Sequence, residues 1–418
     1  MQLKTILNFV QKHPRFVYGT PRLQQRGAKC WIDVPIRARR NCRPVCSECG
    51  QKRPGYDRLD ERRYEFVPLW AIPVFFVYTP RRCDCPQCGV KVELVPWCDG
   101  KSHVTTTFAW FLASWAQVLS WTETARRFRT SWAIVFAAVR RAVEWGKAHR
   151  QLDGITSIGV DELSWKKGHK YLTLVYQLDS GSRRLLWIGR DRTAKTFSAF
   201  FDWLGKERSA GIRFVVSDMW KAFLGTVAQR ASAAVHILDR FHVVRLCNDA
   251  IEKIRRTEAA QLRAAGDKVT LKHTRWILLK RRANLSGKQR VRLRELLKVN
   301  LSTVKAYLLK DDFALFWKYK SPTYAGRFLD GWIVTARATR IAPLVKLANT
   351  LTDHRELLLN WFRARGEVAL GAVEGLNNKA RVTTKLAYGF RSYDHAEIAL
   401  FHRLGKLPEP PWITHRFT

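Results

Sequence analysis

The chain has 418 residues, 46% of them hydrophobic, which is too many for one ordinary core and enough for two to four compact units. Lysine and arginine number 74 against 35 acidic residues, giving a formal net charge of +39 that is spread from end to end. A folded chain bearing that excess repels itself, so a polyanionic partner is implied, and a 12% aromatic content excludes global disorder. The most apolar run, residues 70–79, is too short to span a membrane and is interrupted by Pro73. The N-terminus lacks the apolar stretch and cleavage site of a signal peptide, so a cytoplasmic protein without membrane contact is predicted. Nine cysteines in a reducing compartment point to metal or free thiols and away from disulfides.

Residues 1–104 are rich in Cys, Pro and Arg and read as short strands and loops. From about Thr105 the texture becomes helical, with Phe108, Phe111, Leu112, Trp115 and Leu119 on one stripe. A second short helix is predicted over 122–128, capped by Thr122, and a third over 132–145 after the break at Arg129, Thr130 and Ser131. Three β-rich runs follow at 157–164, 170–178 and 184–190, then an amphipathic helix over 193–205 with Phe197, Phe200, Phe201 and Leu204 inward. Further strands at 212–217 and 233–238 flank a short helical crossover. Three meandering strands, a helix, a strand, a helix and a strand make the ribonuclease-H-like order, a mixed α/β sheet. Residues 243–362 read as basic helix throughout, with loops near 284–286 and 321–322. Residues 371–404 are again helical, ending in a Pro-rich tail.

The strongest local motif is Cys46-Ser-Glu-Cys49-Gly followed by Cys85-Pro-Gln-Cys88-Gly. Two such knuckles present four thiolates that can close tetrahedrally on a structural Zn²⁺, leaving no open position for catalysis. Cys42, Cys83 and Cys98 lie near enough in sequence to replace one of the four. Residues 105–150 fit a helix-turn-helix whose longer helix carries Arg140 and Arg141. An ordinary three-helix packing unit looks the same by periodicity, and the charge and adjacent knuckles favour DNA binding.

Acidic residues are scarce here, which makes their positions informative. Asp161 lies in an apolar strand, where a carboxylate costs several kcal/mol unless paired or metal-bound. Asp218 ends the fourth strand, where a helix cap is the commoner role, and Asp239 ends the fifth and is its rival. Strand ends of an open α/β sheet are where a site is expected. Carboxylates brought together there repel unless a divalent cation intervenes, and oxygen ligands suit Mg²⁺ or Mn²⁺. Glu374 begins a helix whose same face carries Asn378, Arg381 and Lys385, as suits a metal ligand beside a phosphate backbone. A helix-start Glu favoured by the macrodipole is the alternative. Arg240 and His242 follow the fifth strand and could face a scissile phosphate, or His242 could be a hydrogen-bonded structural residue. Trp276, Trp317 and Trp332 in the basic helices could stack on an unpaired base, though core packing suits any one of them better.

These blocks together resemble a known family. Gly159-Val-Asp161-Glu, Gly168-His-Lys-Tyr, Ser217-Asp218-Met-Trp, Leu238-Asp-Arg-Phe-His242, Asn284-Leu, Val373-Glu374-Gly-Leu-Asn-Asn-Lys and Tyr388-Gly-Phe look like the DDE transposases of the ISL-three insertion-sequence family. The resemblance covers nearly the whole chain. It implies Asp161, Asp218 and Glu374 as the catalytic triad holding Mg²⁺ or Mn²⁺, with a helical insertion between the second Asp and the Glu. It also implies a bacterial, nucleoid-associated enzyme that binds the terminal inverted repeats of its element and target DNA, as a homodimer or higher oligomer. Cleavage and strand transfer would proceed by two-metal phosphoryl transfer. The expected organisation is a zinc-binding module (1–104), a helix-turn-helix (105–150), a first catalytic part (151–245), a helical insertion (246–362) and the final catalytic helices with the tail (363–418). The alternatives are a ribonuclease-H-fold nuclease or resolvase, and a non-catalytic DNA-binding repressor.

Overall fold

The structure, a computed structural model, describes residues 3–413 except Lys167, His169, Lys268, Asn300, Arg365, Ala369 and Leu370. His169 of the Gly168 block and the last residues of the tail lie outside the described residues. The chain divides into two compact units, one of residues 1–150 with 394–418 and one of residues 151–393.

In the first unit a short helix, α1 (Leu3–Val10), precedes the strands, a helix absent from the sequence reading of this segment. The strands in chain order are β1 (Phe16–Tyr18), β2 (Arg22–Arg26), β3 (Lys29–Ala38), β4 (Gly55–Arg58), β5 (Arg62–Leu69), β6 (Ile72–Tyr78), β7 (Arg81–Cys85) and β8 (Gly89–Val92). One sheet runs β1-β3-β6-β5 with β2 beside β3, and a smaller one runs β4-β7-β8. The larger sheet packs its aromatic face on Trp97, which is fully buried against Phe16, Tyr64 and Tyr78 in edge-to-face contacts.

Three helices follow: α2 (Thr106–Trp115), α3 (Trp121–Arg127) and α4 (Trp132–His149). Thr105, Ser120 and Ser131 cap them through their hydroxyls, each worth about 1 kcal/mol, and Glu123 completes a capping box with Ser120. The cap of the second helix is therefore Ser120 and not Thr122. A last helix, Tyr393–Leu404, falls with this unit from Asp394 onward. Arg140 pairs with Asp394, and Lys147 reaches Glu397 at 2.7 Å while lying over the Phe401 ring. Those ion pairs between distant parts of the chain leave no periodicity in the sequence, so only the fold reveals them.

The second unit contains β9 (Ser157–Lys166), β10 (Lys170–Gln177), β11 (Arg184–Arg190), α5 (Ala194–Leu204), α6 (Lys206–Ala210), β12 (Phe214–Ser217), α7 (Lys221–Arg230) and β13 (Val235–Leu238). They form one five-stranded sheet in the order β11-β10-β9-β12-β13. The first three strands are antiparallel neighbours, whereas β12 runs parallel to both β9 and β13. Alternation along the strands separates two faces. Ile158, Val160, Val175 and Val215 pack on Phe197, Phe200, Phe201 and Phe223 of α5 and α7. Gly159, Asp161 and Tyr176 point to the other face, which is covered by α15 (Ala372–Leu386).

Between β13 and α15 the chain forms α8 (Arg240–Ala264), α9 (Arg275–Leu279), α10 (Gly287–Leu296), α11 (Ser302–Phe316), α12 (Pro322–Ala338), α13 (Ala342–Asp353) and α14 (Arg355–Arg363). Pro322, read as a loop residue, is instead the first residue of α12, where its missing N–H costs nothing. Trp317 and Trp332 lie in the core of this helical segment, Trp332 donating its Nε1–H to the Leu309 carbonyl, while Trp276 is exposed. Among the described residues, no helix is long and apolar enough to cross a membrane.

Candidate active site and cysteine cluster

Sheet register explains why distant acids converge. Strands β12 and β13 pair in parallel with Ser217 opposite Leu238, so the next residues, Asp218 and Asp239, leave the same edge side by side. Strand β12 also pairs with β9, Val216 opposite Gly159, and the register carried on two residues brings Asp218 level with Asp161. Helix α15 crosses the same face and returns Glu374 in its first turn.

Asp161 is buried, and its two oxygens are both engaged. Oδ1 accepts the Glu162 N–H at 2.7 Å, and Oδ2 accepts the Asn377 side-chain amide. The Oδ1 of the same Asn377 amide accepts the Tyr176 hydroxyl at 2.7 Å. Burial pushes the Asp161 carboxyl up to about 6, with Asp218 and Asp239 adding repulsion against the favourable pull of His242. Asp218 is likewise raised by burial, opposed by the Trp220 N–H that its Oδ1 accepts at 3.0 Å. Glu374 is raised by burial and by Asp239, against Arg381.

Asp239 caps α8 by accepting the Phe241 N–H, and its Oδ2 lies 3.2 Å from His242 Nδ1. That contact raises the His242 pKa. Asp161, Asp239 and His242 each offer a ligand atom within 4.8 Å of the others. Asp218 and Glu374 stand outside that tight group and act on it electrostatically. Carboxylates raised by burial at Asp161, Asp218 and Glu374, beside an imidazole, are a donor set that a divalent cation fits. Glu162, next in sequence to Asp161, is turned away into an ion pair with Arg192 at 3.0 Å.

Asn378, Arg381 and Lys385 are exposed along α15 beyond Glu374, with Arg381 donating to Asn378 at 3.1 Å. Arg240, first in α8, is half-buried over the Trp317 ring at 5.3 Å. Arg140 and Arg141 on α4 are paired with Asp394 and Asp99. Asn377 and Tyr176 were missed by the sequence reading. A helical turn of three residues from Glu374 to Asn377 was the available signal, and nothing local marks Tyr176.

In the first unit, Cys46, Cys49, Cys85 and Cys88 bring their sulfurs within 4.8 Å of one another. Gly50 and Gly89 close the two knuckles at φ +72° and +73°, a conformation that favours glycine. Backbone N–H groups of Cys49 and Glu48 directed at Cys46 lower its thiol pKa, as suits a metal-binding thiolate. Cys83 is buried against this group but is not one of the four, and Cys98 belongs to the Trp97 core.

Residues 158–400, the sheet together with the helices that follow it, match the family model described as a transposase, of the DDE ISL3 type. The chain belongs to the ISL3 family of DDE transposases. It is 30% identical over 361 residues to the transposase for insertion sequence element IS1001 of Bordetella parapertussis, covering 84% of this chain and 86% of that protein. It is 31% identical over 373 residues to the transposase for insertion sequence element IS1557 of Mycobacterium tuberculosis, covering 83% and 82%. This transposase is accordingly an enzyme of the class that cleaves and transfers DNA strands with divalent metal. Its matched segment contains Asp161, Asp218, Asp239 and Glu374.

Proposed function

We propose that this transposase cuts at the ends of its own insertion sequence and joins the freed ends to target DNA, with Asp161, Asp218 and Glu374 as the catalytic triad. What carries the reading is the convergence of Asp161, buried in the sheet, with an acid at the end of the neighbouring parallel strand and one returned by α15. The order β11-β10-β9-β12-β13, antiparallel then parallel, supports a ribonuclease-H-like core. Two Mg²⁺ or Mn²⁺ ions held by the triad would supply activation of water, and then of the freed 3′-OH, with charge stabilisation of the attacking and leaving oxygens. Asp161 contributes a carboxylate oriented at both oxygens, which costs no reorganisation when the phosphate arrives. His242, held by Asp239, and the exposed Arg381 and Lys385 contact backbone phosphates, a role supported by the exposure of the two cations along α15 and by the raised His242 pKa.

The first unit is the end-recognition part. Helices α2–α4 act as a helix-turn-helix, with Arg140 and Arg141 exchanging their acidic partners for phosphates, and the four-cysteine cluster holds a structural Zn²⁺. Arg240 and Asn378 add contacts to the cleaved strand. Because two ends must be synapsed, at least a dimer works on DNA, in the cytoplasm at the nucleoid.

A second assignment has its own observation. Asp239, not Asp218, shares the tight group with Asp161. The test compares Asp161→Asn, Asp218→Asn, Asp239→Asn and Glu374→Gln for cleavage and strand joining on an end-containing duplex, with end binding measured alongside. Loss of both reactions in the Asp161, Asp218 and Glu374 variants with binding retained supports the triad. Loss with Asp239→Asn and retention with Asp218→Asn moves the second acid to Asp239. Cleavage without joining would make the protein a nuclease or resolvase, and four silent variants would make it a repressor.

A further inference from the structure

We infer that Asn377 and Tyr176 are positioning residues that fix the Asp161 carboxylate for metal binding, an inference resting on the reading of Asp161 as a metal ligand. The chain of contacts is Tyr176 hydroxyl to Asn377 Oδ1 at 2.7 Å, then Asn377 Nδ2 to Asp161 Oδ2. All three side chains are buried, Tyr176 completely and Asn377 to 1% exposure.

The order of donors is forced by chemistry. A carboxylate accepts only, so Asn377 must turn its NH₂ toward Asp161. That leaves the amide oxygen facing Tyr176, which must then donate its hydroxyl proton. Tyr176 is thus a lock on the amide orientation: without its proton donor, Asn377 can rotate by half a turn and present an oxygen to the carboxylate. The Glu162 N–H holds the opposite oxygen, so the carboxylate plane is fixed at both ends while each oxygen keeps lone-pair capacity for a cation.

The same contacts tie three elements. Tyr176 stands on β10, Asp161 on β9 and Asn377 on α15, one turn beyond Glu374. Asn377 therefore couples the orientation of Asp161 to the position of the helix that carries Glu374. Groups that orient a metal ligand in this way commonly change metal affinity by about 10- to 100-fold when removed.

The experiment measures Mn²⁺ binding to the full-length protein by electron paramagnetic resonance of the free ion, with circular dichroism and urea midpoints recorded on the same samples. Asn377→Leu, close in size and without a donor, should weaken Mn²⁺ binding by about 10- to 100-fold, and Tyr176→Phe by about 10-fold. The Tyr176→Phe/Asn377→Leu protein should bind no more weakly than Asn377→Leu alone, because Tyr176 acts through Asn377. Asp161→Asn is the reference for the underlying reading and should lose binding outright. Wild-type affinity in Asp161→Asn would overturn the metal-ligand reading itself. Loss there with wild-type affinity in the folded Asn377→Leu protein would overturn only the positioning role. Additive losses in the double variant, or lowered urea midpoints without any change in affinity, would also overturn it. Should Asn377→Leu fail to fold, Tyr176→Phe, which deletes a single oxygen, decides between the outcomes by itself.

Discussion

A methyl group at Gly159 tests whether the approach of α15 to β9 sets the active-site geometry. The Cβ of an alanine there would lie 2.4 Å from Val373 Cγ2 and 3.1 Å from Leu178 Cδ1. Carbon atoms rest at about 3.5–4.0 Å, so the Val373 contact alone is short by about 1 Å or more. Leu178 can turn aside, but Val373 is 1% exposed and β-branched within a helix, where one rotamer dominates. The strain is relieved by moving α15 away from the sheet by about 1 Å, taking Glu374 and Asn377 with it. Overpacking of this kind costs about 1–3 kcal/mol of stability. A displacement of about 1 Å at reacting groups costs on the order of 100-fold in rate. Cleavage of an end-containing duplex at saturating Mg²⁺ should fall accordingly in Gly159→Ala, with the urea midpoint lowered and end binding unchanged. Adding Val373→Ala removes the opposing methyl and should recover most of the rate. Wild-type rate and stability in Gly159→Ala, or no recovery in the double variant, would refute the reasoning.

Replacing Cys46 and Cys49 by Ser should release stoichiometric zinc, measured by metal analysis, and weaken end binding through loss of the fold around β4, β7 and β8; a native protein without zinc would contradict this. His236 is buried beside the Ser217 hydroxyl at 2.7 Å, and burial, reinforced by His354, lowers its pKa to about 4. The unfolded chain takes up that proton near pH 6.5 and the folded chain does not, so stability falls as the pH drops below about 6.5 and the loss is complete near 4. The loss amounts to about 2 kcal/mol at pH 5, and urea titrations of His236→Gln should show it removed. End binding by the full protein should fall steeply with salt, and Arg140→Ala with Arg141→Ala should flatten that slope; the exposed pairs they leave, with Asp394 and Asp99, are worth at most about 1 kcal/mol each to stability.

Much of the sheet was legible because its strands are short apolar, β-branched runs buried at nearly every position and its first helix follows with a clear apolar stripe. Phe197, Phe200, Phe201 and Leu204 of α5 are buried as their spacing predicts. The four knuckle cysteines were legible for a similar reason: two residues between thiols and a closing glycine form a local geometry that needs no distant partner. Helix α8 starts at Arg240, three residues before the predicted Val243, because Asp239 caps it by accepting the Phe241 N–H.

Sequence alone placed Asp161 within an apolar strand, Asp218 and Asp239 at strand ends and Glu374 at a helix start, since a scarce charge beside apolar residues is visible in the chain itself. Which of these acids stand together was decided by the register of β9, β12 and β13, a matter of hydrogen bonds between segments far apart in the chain. The closing helix Tyr393–Leu404 joined the first unit through ion pairs from α4, and ion pairs carry no periodic signature. Asn377 and Tyr176 became meaningful only once α15 lay on the sheet. A buried hydrogen-bond chain exists between elements and belongs to none of them, so no window of sequence contains it.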